Sequence, residues 1–182
     1  MKTIALLATL LVGAFPRQDV PEPPSPLEEH AWLHQLVGEW TVTATATMEP
    51  GAEPMRMEST ERVRSIGGLW IVAEGSASLG GTPFTSILTL GYDPPKKAFV
   101  GTWIDSMQTH LWTHVGTLDE SKRVLTLETE GPAFGDPTRT ASYRDAIELT
   151  GPDQRVLTSS VQAADGTWTT FLRAEYRRQK AK

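Results

Sequence analysis

Gly38-Glu39-Trp40-Thr41-Val42-Thr43-Ala44-Thr45-Ala46-Thr47-Met48 (GEWTVTATATM) alternates strictly. Trp40, Val42, Ala44, Ala46 and Met48 fall on one side, and Thr41, Thr43, Thr45 and Thr47 on the other. A period of two in β-branched and apolar residues predicts a half-buried strand. Upstream, Leu27–Val37 (LEEHAWLHQLV) is the only helical pattern. Leu33, Leu36 and Val37 form its apolar stripe, Glu28 and Glu29 lie in its first turn, and Gly38 ends it. Downstream, strand patterns recur at about 57–66, 69–78, 84–92, 97–105, 109–117, 123–130, 138–149, 154–163 and 167–177. Turn residues separate them: Glu49-Pro50-Gly51, Gly67-Gly68, Gly80-Gly81, Asp93-Pro94-Pro95, Asp119–Lys122, Gly135-Asp136-Pro137, Gly151-Pro152-Asp153 and Asp165-Gly166. Loops this short join neighbours as antiparallel hairpins. The expectation is an all-β fold, an antiparallel up-and-down barrel of about ten strands with a short N-terminal helix; a sandwich has the same signals. A barrel of that size often leaves room for one small ligand.

The bulk composition narrows function. Over 182 residues the formal charge is −5, and no basic stripe is present, so nucleic acid is not an expected partner. The absence of cysteine excludes disulfides, thiolate catalysis and Cys-type zinc sites. The sequence also contains no asparagine, hence no glycosylation acceptor. Residues 1–15 read as a signal peptide: Lys2, then the apolar run Thr3–Phe15, with Val12-Gly13-Ala14 as small residues for cleavage. That run is short for a bilayer span, so no stable membrane span is expected after cleavage. Residues 16–26, with Pro16, Pro21, Pro23, Pro24 and Pro26, read as a Pro-rich linker, and 27–180 as a single domain. The expected location is exported, periplasmic or secreted.

Gly38-Glu39-Trp40, at the junction of helix and first strand, resembles the Gly-x-Trp signature of the lipocalin and fatty-acid-binding superfamily, the calycins. The resemblance implies that Trp40 plugs the closed end of the barrel, with an arginine near the last strand packed across it; Arg173, Arg177 and Arg178 are available. The blocks HAWLHQLVGEW, GGLWIVAEG, SILTLGYDPPKKAFVGTW, MQTHLW and RVLTSS further resemble the family called domain of unknown function 1579, over residues 28–178. That family implies a lipocalin-like fold and carries no established activity. By analogy with fatty-acid-binding proteins, Arg139, Tyr143 or Arg155 would hold a ligand carboxylate.

His110, Trp112 and His114 share one strand face, with the two histidines roughly 13 Å apart, too far to share one metal ion. The other face carries Leu111, Thr113 and Val115 and has an equal claim to the core. Phe99, Gly101, Trp103 and Asp105 share a face of the preceding strand. Asp105 and His110 can then meet across the Ser106-Met107-Gln108 turn as an acid/base pair. Tyr143, Asp145 and Ile147 share a face, with Arg144 opposite, and Glu74 interrupts the apolar run LWIVAEG. Charges inside a barrel need partners or a polar ligand head. Glu128 and Glu130 alternate with Leu125 and Leu127 and are expected to face outward. His30 and His34 are neighbours on the helix, on what reads as a wet face. No nucleophile elbow, P-loop, dinucleotide fingerprint, HExxH or EF-hand loop is present.

The leading functional expectation is a barrel binding a small hydrophobic or amphipathic molecule. Trp103, Trp112 and Met48 line its pocket, and Asp105, His110, His114 and Tyr143 supply polar contacts. An alternative is a haem-binding protein, or a hydrolase-like or isomerase-like enzyme, using one interior histidine. A second is a protein-interaction domain without a small ligand. No catalytic residue, metal ligand or cofactor is identifiable, and a homodimer is possible.

Overall fold

The structure, a computed structural model, describes residues 22–47 and 52–180. The signal-peptide reading, most of the linker reading, Met48 and the Glu49-Pro50-Gly51 turn lie outside the described residues. One helix, α1 (Glu28–His34), precedes ten strands: β1 (Gly38–Ala46), β2 (Met55–Ile66), β3 (Trp70–Leu79), β4 (Thr82–Asp93), β5 (Ala98–Asp105), β6 (Trp112–Leu118), β7 (Val124–Ala133), β8 (Asp136–Gly151), β9 (Gln154–Gln162) and β10 (Trp168–Arg178). Each strand pairs antiparallel with its sequence neighbour, and β1 pairs with both β2 and β10, which closes the barrel. Closure removes the unpaired edges that an open sheet exposes.

The helix is shorter at its C-terminal end than its apolar stripe suggests. The amides of Gln35, Leu36 and Val37 each bond the carbonyl three residues back, so the chain tightens into a last turn before Gly38 turns away with φ 138°. His30 is buried, not solvated: its Nδ1 accepts the Leu27 N–H at 2.8 Å, tying down the helix start, while His34 meets Ser65 instead. Strand β6 begins at Trp112, later than its alternation suggests. The Asp105 carboxylate accepts the Met107 N–H and the Gln108 amide at 2.7 Å, and holds Ser106–Leu111 as a loop.

Ten hairpin-linked strands send alternate turns to opposite ends. The helix covers the end that holds the β2–β3, β4–β5, β6–β7 and β8–β9 turns. Its Trp32, Leu33 and the following Leu36 enter the core with Trp40, Val63, Ile71, Leu90, Phe99, Leu125 and Ile147. Each such side chain removed from water contributes about 1.5–3 kcal/mol. The Trp40 indole donates to the Leu36 carbonyl at 2.9 Å, and the Arg178 guanidinium lies over its ring at 4.2 Å. Arg178 also bonds the carbonyls of Val37 and Gln35 and the Asp153 carboxylate. Of the three arginines available, Arg178 is thus the one that locks the floor.

Candidate functional site

The faces of β6 are now assigned. His114 points inward and is 4% exposed, while Val115 is 55% exposed on the outer wall. Register places Trp103 beside Trp112 and Gly101 beside His114. Continuing the β6–β7 register past Val115 and Glu128 sets His114 opposite Thr129 at the next step and Trp112 opposite Gly131 two steps later; a Cβ at Gly131 would run into the Trp112 indole. On β8, Tyr143 is the partner of Thr129, and Asp145 the partner of Leu127. One wall of the lumen therefore carries Trp103, Trp112, His114, Thr129, Tyr143 and Asp145.

The polar groups on that wall are unevenly satisfied. His114 Nε2 lies 3.3 Å from Asp145 Oδ2. A carboxylate only accepts, so Nε2 carries the proton that faces it, and in the tautomer protonated there alone Nδ1 is an acceptor. His114 Nδ1, Thr129 Oγ1 and Trp112 Nε1 are buried without a hydrogen-bond partner. The other described atoms in that condition, Arg144 Nε and Arg155 Nε, belong to guanidiniums paired through another nitrogen. Tyr143 donates to the Pro132 carbonyl at 2.6 Å, and burial pushes its phenol above the ordinary value. Its ring stands edge-on to Trp112, with centroids 5.0 Å apart; Phe134 and Phe171 pack on its other sides. These rings line the end away from the helix.

The facing wall is built of small residues. Ser59, Gly75, Ala77 and Ser86 occupy inward positions in register with Val42, Trp40 and one another. They and Trp103 are only half-buried although they face inward, so solvent reaches this part of the lumen. Two depressions, one beside Asp153 and Arg177, the other beside Glu61, Arg62 and Glu74, contain none of the three unpaired groups.

The remaining expected residues divide. Asp105 faces inward, but its carboxylate is occupied by its own turn. His110 sits in the loop before β6 with its ring edge-on to Trp112 at 4.8 Å. The interior acid–histidine contact is therefore Asp145–His114, not the Asp105–His110 pair. Arg139, Glu74, Glu128 and Glu130 are exposed. Arg155 is inside, yet it is paired with Glu61 across the lumen and stacked over Tyr176 at 4.0 Å. Burial, reinforced by Glu61, pushes the Tyr176 phenol well above its ordinary value. Sequence reading missed Thr129. Its signal was a lone hydroxyl continuing the apolar alternation Leu125, Leu127.

A closed ten-stranded barrel, floored by a helix and locked by a tryptophan–arginine stack, is a lipocalin-like barrel. The chain belongs to the family described as protein of unknown function (DUF1579), whose model matches residues 25–178. No curated protein matches it. Among solved structures it is similar to Rv2717c from M. tuberculosis, at 17% identity and a TM-score of 0.61, covering 86% of this chain and all of that one. It also aligns with a redesigned β-barrel, b11L5F_LGL, at 14% identity and a TM-score of 0.43, covering 81% of this chain and 94% of that one. A third alignment is with mFAP1, a redesigned β-barrel bound to DFHBI, at 16% identity and a TM-score of 0.42, covering 80% and 96%.

Proposed function

We propose that this protein binds a small amphipathic molecule in the half of the lumen away from the helix. One observation carries the reading: His114 Nδ1, Thr129 Oγ1 and Trp112 Nε1 are unpaired on one wall. An unsatisfied buried polar group costs about 1–3 kcal/mol, and the polar end of a ligand offsets that cost for all three. Trp103, Trp112 and Tyr143 supply the apolar contact for its body, and Asp145 orients His114. The reading also places the protein outside the cytoplasm, supported by the leader-like residues 1–15, where such a barrel carries or captures its ligand.

Native mass spectrometry of protein purified gently from an exporting host tests this. The expected spectrum shows one small molecule retained per chain and released on denaturation, with an N-terminus cleaved within or just after the apolar run. A retained mass with a Soret band would favour the haem alternative. An apo spectrum, together with no binding from a panel of amphipathic compounds, would count against a ligand.

A further inference from the structure

We infer that the lumen selects a neutral, flat, hydroxyl-bearing ligand of the phenol class and rejects carboxylates, an inference that rests on the binding reading above. Among the described residues the interior contains three carboxylates, Glu61, Asp105 and Asp145, and one guanidinium, Arg155, which Glu61 already occupies. Among the described residues no unpaired guanidinium or ammonium is left on the lumen wall for an anionic head. An added carboxylate would sit among like charges without a cationic partner, which disfavours it relative to a neutral head.

The unpaired atoms specify the head group further. The Trp112 indole only donates, His114 Nδ1 accepts when Nε2 faces Asp145, and the Thr129 hydroxyl does either. One hydroxyl matches this set: it donates to Nδ1 and accepts from the indole or from Thr129. A carboxylate cannot donate, and a bare hydrocarbon does neither. The shape preference comes from the aromatic wall, since Trp112 and Tyr143 stand at 88° to each other, forming a corner that a planar ring fills edge to face.

The test uses the full folded chain and three flat probes at pH 7: 2-naphthol, naphthalene and 2-naphthoate. By titration calorimetry, 2-naphthol is expected to bind at least about tenfold more tightly than either of the others, the difference made by one hydrogen bond to an otherwise unpaired group. Thr129→Val and Trp112→Phe should each cut 2-naphthol affinity by about tenfold while holding naphthalene within about twofold. If a variant fails to fold, the wild-type comparison decides alone. Naphthoate binding as well as naphthol, naphthalene binding as well as naphthol, or a naphthol preference that survives both substitutions overturns the inference and leaves the binding reading standing. Binding of none of the three overturns it too. The native mass spectrum then separates the cases: a retained molecule spares the binding reading, and its absence removes both.

Discussion

The helix end and the open end of this barrel are built from the same residue types and treat their polar atoms differently. At the helix end the indoles of Trp32 and Trp40 donate to the carbonyls of Lys122 and Leu36, and His30 accepts a backbone N–H. Toward the mouth, the Trp112 indole, His114 Nδ1 and the Thr129 hydroxyl are buried and unpaired. Satisfied buried groups hold a floor in one arrangement, whereas unsatisfied ones are costs a folded chain retains where a ligand meets them. Changes at the floor should therefore move stability, and changes near the mouth should move binding.

The largest stability effect is expected from Arg155→Met. It strands Glu61 in the lumen, and breaking one partner of a buried pair costs about 3–5 kcal/mol. Denaturant titration should show this, and adding Glu61→Leu should recover much of it. Gly131→Ala comes next: the new methyl displaces the Trp112 indole, an overpacking cost of about 1–3 kcal/mol, with a change in the Trp112 indole resonance and weaker ligand binding. Thr129→Val should run the other way, raising unfolding free energy by about 1 kcal/mol because an unsatisfied hydroxyl leaves the interior. A loss of stability there would mean that Thr129 has a partner and that the two ends do not differ. Tyr143→Phe removes the bond to Pro132 and should cost about 1 kcal/mol.

The smallest effect at neutral pH belongs to Tyr176→Phe. Burial raises the Tyr176 phenol above its ordinary value of 10.0, so its neutral form contributes stability fully below that value. That contribution is lost as pH rises further, because the unfolded chain ionises first. Removing the hydroxyl should shift alkaline unfolding, followed by circular dichroism, to higher pH.

The alternation through Thr41–Thr47, the spaced turns and the short loops made the strand number and hairpin order legible, because period two and turn chemistry are local. The Trp40 floor was legible through Gly38-Glu39-Trp40, though which arginine covers it was not. Arg173, Arg177 and Arg178 differ only in where the last strand ends relative to the helix. On β6 both faces are half apolar, so local pattern leaves the inward one open; pairing with Phe99, Gly101 and Trp103 decides it. The His114–Asp145 contact skips β7 and depends on the stagger of three strands, a non-local property. Asp105 was drawn away by its own loop amides, a competition that alternation does not register.

The most direct measurement is the set of six indole N–H resonances in a ¹⁵N spectrum during titration with 2-naphthol. Trp112 and Trp103 should shift together and saturably, while Trp32 and Trp40, engaged at the floor, stay in place. Shifts confined to Trp70 and Trp168 on the outer wall, or no shift at all, would contradict a ligand site in the mouth-side lumen.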